Sequence, residues 1–253
     1  MKKIKVLIGL LIILSCSSED EITENELGNP GMIKSIISSS PNENDAKISY
    51  SYQDGNKLKS IAYSKESLDD GTLDYKHYFF YEDNLIVRIE SSYRTENITN
   101  LNVINYFEYD NDGKLIKFTR DSNRDGIETH NYSHLSNGNI SDSYKRQNMS
   151  NFQTKTLEIN DAKNLVSDGF YRTYTYDDKR SPHYGIIGFD KLYFAEIHLL
   201  GVESYPEYYN NIKTITWNFN SRSFSYKYNS DLKPLSRDYE DMNYIFTTTY
   251  QYY

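Results

Sequence analysis

Residues 104–118, INYFEYDNDGKLIKF, decide the fold class. Phe107 and Tyr109 alternate with polar residues, a turn of Asp110, Asn111, Asp112 and Gly113 follows, and a second apolar run begins at Leu115. Alternation, turn and renewed alternation spell a β-hairpin. The same phrase recurs along the chain. Tyr52 to Leu58, Tyr109 to Leu115 and Ile159 to Leu165 are each six residues apart, and His134 to Ile140 keeps the spacing with a weaker first residue. Between them lie Asp54-Gly55, Asp112-Gly113, Asn137-Gly138 and Asn160-Asp161. Gly adopts positive φ without steric cost, and Asn and Asp tolerate it. A shorter turn, Glu82-Asp83-Asn84, follows Tyr81.

The remaining strands show the same period of two. Ile48, Tyr50 and Tyr52 share one face, as do Ile215, Trp217 and Phe219, then Phe224, Tyr226 and Tyr228. One buried and one wet face per strand indicates an antiparallel sheet. The last strand, from Tyr244 to the C-terminus, has no charged residue to guard a free edge, so it is expected to be paired. Tyr184 to Val202 breaks the pattern, and a short helix over about 190–200, capped by Asp190 and stopped near Gly201, competes there with another strand. The expected fold is therefore all-β: a long antiparallel meander of repeated hairpins in a twisted, curled sheet, either an open barrel or sandwich-like.

Composition agrees. The chain has 253 residues, of which 26 are Tyr and 11 Phe, a bias toward pleated, half-buried surfaces. The net charge is −8, and it becomes −11 if Lys2, Lys3 and Lys5 leave with a leader. An acidic body without an arginine-rich run disfavours nucleic acid as a partner.

Residues 1–15 read as a signal peptide: three lysines, then an apolar core from Val6 to Leu14 too short to span a bilayer. Ile13-Leu14-Ser15-Cys16 follows, and Cys16 is the single cysteine of the chain. Disulfides within the chain are thereby excluded. Residues 16–31 are polar and acidic and end in Gly28-Asn29-Pro30-Gly31, a flexible tether ahead of one β domain over 32–253.

Ile13-Leu14-Ser15-Cys16 resembles a bacterial lipobox, which implies lipidation of Cys16 and a membrane partner reached through the lipid. The run Ser17-Ser18-Glu19-Asp20-Glu21 resembles the surface-export signal of Bacteroidota lipoproteins. This implies the outer membrane and its extracellular face, with the periplasmic face as the alternative. Tyr109-Asp110-Asn111-Asp112-Gly113-Lys114-Leu115-Ile116 resembles the YD repeat of RHS-type proteins. Tyr176-Asp177-Asp178-Lys179-Arg180-Ser181-Pro182 and Asn210-Asn211-Ile212 resemble segments of Bacteroidota lipoproteins of unknown function with degenerate YD-like sheets. These motifs imply an address and a sheet, and no chemistry.

Sites are sparse. Asp121, Asn123 and Asp125 alternate before Gly126, as at the start of a calcium loop, and Glu128 supplies a further carboxylate. This is the candidate metal site and calcium the candidate cofactor, set against a plain polar connection between hairpins. His130 and His134 lie on one strand about 13 Å apart, too far to share an ion. No Gly-x-Ser-x-Gly, His-Glu-x-x-His or phosphate-cradling loop is present. The expectation is a lipid-anchored surface lipoprotein with a non-enzymatic binding or structural role. Its rivals are a glycan-binding accessory protein and a glycosidase working through two carboxylates. A glycan or a protein at the cell surface is the expected partner.

Overall fold

The computed structural model describes residues 29–40, 43–67, 71–94, 99–195, 208–218, 220–241 and 244–253. The signal peptide, Cys16 and most of the tether lie outside the described residues. The strands are β1 (Ile33–Ser40), β2 (Glu43–Gln53), β3 (Lys57–Ser67), β4 (Gly71–Glu82), β5 (Leu85–Arg94), β6 (Thr99–Tyr109), β7 (Leu115–Ser122), β8 (Gly126–His134) and β9 (Ile140–Arg146). They continue as β10 (Gln153–Ile159), β11 (Leu165–Ser167), β12 (Arg172–Arg180), β13 (Asn210–Trp217), β14 (Asn220–Ser223), β15 (Ser225–Tyr228), β16 (Pro234–Asp241) and β17 (Tyr244–Tyr252).

Every pairing is antiparallel and joins neighbours in the chain, and β17 returns to pair with β1, Tyr250 opposite Ile36. The last strand is thus paired on both sides. An antiparallel ring needs an even number of strands, because neighbours must alternate in direction. The 17 segments meet this condition because β14 and β15 are one strand broken at Phe224. Its first half pairs with β13 and its second with β16, while the Phe224 N–H bonds to the Lys213 carbonyl at 2.9 Å. The meander therefore curls into a nearly closed barrel. Its thinnest seam is β11, which meets β12 at Ser167 and Thr173.

The recurring tyrosines explain how successive hairpins are joined at one rim. Each ladder breaks register just before the turn, which leaves a carbonyl at the start of the preceding strand without a ladder partner. Tyr52 donates to the Ile33 carbonyl at 2.8 Å, Tyr109 to Ile86 at 2.7 Å, Tyr176 to Leu165 at 2.7 Å, Tyr226 to Ile212 at 2.8 Å and Tyr252 to Pro234 at 2.9 Å. His134 makes the same bond through Nε2 to Leu115 at 2.9 Å. Tyr81 instead accepts from the Leu58 N–H and donates to Ile187. Ile159 has no polar end and breaks the series. The next residue folds the turn itself: the Asp110 carboxylate accepts the N–H groups of Asp112 and Lys114, and Asn160 and Asn229 do the same for Asn164 and Lys233. The aliphatic residue that closes the phrase, such as Leu58, Ile86, Leu115, Ile140 or Leu165, is buried in the core.

One connection at this rim is long. Between β12 and β13 the described residues Ser181–Ala195 turn back and plug the barrel end. Ile187 donates to the Asn56 carbonyl at 3.0 Å, and the His183 ring meets the Tyr50 hydroxyl at 3.0 Å. Phe189 packs on Phe79, and Phe194 meets Tyr132 edge-on at 5.1 Å. Gly188 (φ 84°) sits where a Cβ would come within 2.9 Å of Ile86. The short helix expected near 190–200 is not found in its described part: only one 3-10 turn, Phe189–Lys191, is present, and residues 196–200 lie outside the described residues. Asp190 makes no capping bond because Gly188, in a left-handed conformation, occupies the cap position. The segment is shaped by its anchors on different walls rather than by one helical face.

The exterior is polar. Outward positions carry Lys47, Ser49 and Ser51 on β2, Thr173 and Thr175 on β12, Thr214 and Thr216 on β13, and Thr247, Thr249 and Gln251 on β17. The main apolar exception is a patch on β4 and β6, where Tyr78 and Tyr106 are exposed and Arg88 stacks on Phe80 at 4.1 Å.

Candidate functional site

The end opposite the plug is the mouth. Its described residues include the β7–β8, β9–β10 and β11–β12 connections, where Phe152, Phe170 and Tyr171 are exposed. Phe170 meets Tyr144 edge-on at 5.8 Å and lies 4.8 Å from the Lys155 ammonium, and Lys145 approaches Phe152.

Inside the mouth, alternation places charged residues where the plugged end has aliphatic ones. Arg146 stands opposite Glu128 and Tyr144 opposite His130, while Lys155 faces Asp142. They form one chain of charges across β8, β9 and β10. Arg146 Nε lies 2.8 Å from the Glu128 carboxylate, which lies 3.4 Å from His130 Nε2. His130 Nδ1 lies 2.9 Å from Asp142, and Lys155 Nζ is 3.7 Å from the same carboxylate. His130, Asp142 and Lys155 are buried.

Burial alone would push the His130 imidazole down, but hydrogen bonds and charge from Asp142 and Glu128 outweigh it and hold the group up at about 8. Burial would likewise push Glu128 up, and His130 and Arg146 hold it down at about 2. The sign of the pH dependence follows. The His130 contribution is complete below its ordinary value of 6.5 and is lost as pH rises through about 8. The Glu128 contribution is complete above 4.5 and is lost as pH falls toward about 2. Urea unfolding is expected to show a loss of roughly 2 kcal/mol between pH ~6 and pH ~9, absent in His130→Gln. An equal loss in the variant would place the titrating group elsewhere.

A second polar cluster lies beside this chain. Asn105 is 1% exposed, and neither its Nδ2 nor its Oδ1 has a hydrogen-bond partner in the protein. Opposite it on β7 stands Arg120. The Arg120 Nη2 reaches Asp125 at 3.3 Å, while its buried Nε also has no partner. The in-register pair Phe107–Phe118 stacks next to them, with rings 5.4 Å apart. From Arg120 a cleft of about 1110 Å³ opens at the mouth, lined among others by Arg124, Gly126, Glu128, Arg146 and Gln147.

The predicted calcium residues border this cleft but do not converge. Asp121 is exposed on the outward face, in register with Ile104 and Ile127. Asn123 exchanges hydrogen bonds with the Asn102 backbone, Asp125 pairs with Arg120 and Arg124, and Glu128 faces inward to Arg146 and His130. Among the described residues no group of three His, Cys, Asp or Glu side chains is placed to hold a metal. The turn is capped instead by Ser122, whose Oγ accepts the Asp125 N–H at 3.1 Å. His130 serves the charge chain and His134 the rim, as their separation required. Trp217 packs against the core beneath Arg222. Sequence reasoning missed Asn105, Arg120, Asp142 and Lys155. Their signal was present: each is polar at a position whose neighbours two residues away point inward.

No protein-family model matches this chain, and no curated protein matches it. Among solved structures, a porin-like protein from Bacteroides uniformis is similar over 91% of this chain and 100% of that one, with a TM-score of 0.41 and 10% identity.

Proposed function

We propose that this is a lipid-anchored, non-enzymatic binding protein of the outer membrane, tethered through Cys16 with its plugged end toward the bilayer and its mouth turned away. The observation that carries the reading is where the chain joins the barrel. Gly31 donates to the Tyr253 carbonyl at 2.9 Å, and Lys233 bonds to the Gly31 carbonyl, so the tether arrives at the plugged rim. The polar exterior supports a body held by its lipid, since a barrel spanning the bilayer presents an apolar band outward.

Two features favour binding over catalysis. Both His130 nitrogens face carboxylates, and Glu128 is held down at about 2, the opposite of what a general acid requires. The export-like run after Cys16 favours the extracellular face.

A thiol-labelling experiment tests address and orientation together, because a lipidated Cys16 leaves an introduced cysteine as the single free thiol. Tyr171→Cys at the mouth is expected to react with a membrane-impermeant maleimide on intact cells, faster than Asp112→Cys at the plugged rim. Cys16→Ser is expected to move the protein to the soluble fraction and equalise the two rates. Retention of Cys16→Ser in the membrane fraction would overturn the anchor. Labelling of Tyr171→Cys only after the outer membrane is permeabilised would assign the periplasmic face.

A further inference from the structure

We infer that the plugged rim is seated in the headgroup layer of the membrane that holds the lipid, with Ile116, Leu135, Leu232 and Leu235 inserted among the lipids. The inference rests on the lipid-anchored reading and adds the surface that meets the bilayer. Singly exposed apolar residues need no explanation, but two of these leucines occupy turn positions whose local chemistry calls for other residues. Four turns at this rim share one backbone bond: Gly113 donates to the Asp110 carbonyl, Gly138 to Leu135, Lys163 to Asn160 and Leu232 to Asn229, at 2.8–3.1 Å. Leu232 thus stands where two sister turns have glycine, at a φ of 61°. Left-handed backbone disfavours a side chain, and this one is 52% exposed, so little packing within the barrel offsets the strain. Leu135 stands where the other three turns have Asp110, Asn160 and Asn229, whose side chains accept turn N–H groups. A leucine cannot do so, and it too is exposed.

Ile116 and Leu235 are presented by another device. The β6–β7 and β15–β16 ladders break register at Glu108/Tyr109 and Lys227/Tyr228, and the extra residues opposite those breaks are Ile116 and Leu235. A bulge re-aims a side chain, and these two bulges aim aliphatic ones into solvent at the rim. The tether decides what covers them. The β15–β16 turn that carries Leu232 also holds Gly31, through the Lys233 ammonium. In the β2–β3 turn a Cβ on Gly55 would lie 3.3 Å from Asn29 Nδ2. The chain leading back to Cys16 therefore meets the barrel at two turns of this same rim. Charges of both signs stand at the rim turns, Lys57 with Asp54, Lys114 with Asp112 and Lys163 with Asp161. That mixture suits zwitterionic headgroups, and lysine stems can lie along lipid while their ammonium groups stay in water. Such a surface holds to the interface in proportion to the apolar area it buries. The exposed rings of the mouth, Phe152 and Phe170, lie instead against Lys145, Lys155 and Tyr144.

The lipidated chain, its lipid confirmed by intact mass, is reconstituted in phosphatidylcholine vesicles that contain brominated acyl chains as quenchers. A fluorophore is placed on one introduced cysteine at a time, Asp112→Cys at the plugged rim or Tyr171→Cys at the mouth. The rim fluorophore is expected to be quenched at least about threefold more than the mouth fluorophore. Replacing Ile116, Leu232 and Leu235 together by Ser is expected to bring rim quenching down to the mouth level, while the lipid keeps the protein on the vesicles. Leu232→Gly alone, which restores the residue of the sister turns, is expected to lower rim quenching without lowering the thermal melting midpoint. Equal quenching at rim and mouth, or rim quenching that survives the triple Ser variant, would overturn the inference and leave the lipid as the sole contact. Excimer emission between pyrenes on Asp112→Cys, in place of quenching, would make a second copy the occupant and overturn it as well. A mass without lipid would overturn the anchor and the inference with it, whereas a lipidated chain with equal quenching overturns the inference alone.

Discussion

Asp142→Ala is expected to destabilise the barrel by about 3–5 kcal/mol, the usual consequence of removing one partner from a buried charge network. Asp142 is 2% exposed, and both His130 and Lys155 contact its carboxylate. Without it the buried Lys155 ammonium loses a carboxylate partner, while its ring contacts with Tyr144 and Phe170 remain. His130 would lose the partner on Nδ1 and one of the two carboxylates that hold its titration up. The chain stability available is itself only about 5–15 kcal/mol, so a visible drop in the urea midpoint follows. The double variant Asp142→Leu with Lys155→Met should recover much of the loss, because replacing a whole buried ion pair by apolar groups is often neutral. A cost below about 1 kcal/mol for Asp142→Ala would mean that the network is hydrated and that the mouth is wetter than described.

The second large effect concerns the rim. Tyr52→Ala is expected to cost about 3–5 kcal/mol, as for other large aromatics removed from a packed interior. Tyr52 is fully buried, packs edge-on against Tyr253 at 5.9 Å and donates to the Ile33 carbonyl. Its environment holds the hydroxyl protonated, since burial and the neighbouring tyrosines push its titration far up. Tyr52→Phe retains the packing and removes only the bond, so it should cost about 1 kcal/mol. Tyr78→Phe, at an exposed outward position, should cost nothing measurable. Equal small effects in all three would show that the rim bonds do not hold the hairpins together.

The rim also shows what could and could not be read in the sequence. The hairpin from Ile104 to Phe118 was fully legible, because turn chemistry and period-two alternation are both local. The role of its Tyr was half legible: Tyr109 bracketed a turn on the page, but its bond to Ile86 joins two hairpins and depends on where the ladder breaks. Barrel closure was not legible. Ile36 and Tyr250 meet across more than two hundred positions, and nothing local in either segment says so. The four candidate calcium residues do not converge in the structure, for a related reason. Asp121, Asn123 and Asp125 have the spacing of a loop that wraps an ion, but here they straddle a strand end and a tight turn. Alternation sends Asp121 outward, and arginines take the carboxylates that remain. Polar residues at inward positions, Asn105 and Asp142 above all, were the overlooked clue, because alternation was read for its apolar members. Tyr184 to Ala195 broke the repeat, and that irregularity did mark a special element, the plug.

The placement of the rim tyrosines, the plug and the opposite end depends on the sheet being a ring. Closure brings Gly31 and Tyr253 to one rim, the rim that the plug occupies. The most direct measurement is a disulfide across the seam between first and last strands. Ile37 faces Thr249 on β17 and Lys47 on β2. Directly paired residues in an antiparallel ladder lie about 4.5–5.5 Å apart between Cα atoms, within the range a disulfide spans. In a Cys16→Ser background, Ile37→Cys with Thr249→Cys is expected to lose both free thiols under mild oxidation as readily as the hairpin control, Ile37→Cys with Lys47→Cys. A bridge that forms in the control and not across the seam would contradict the closed barrel.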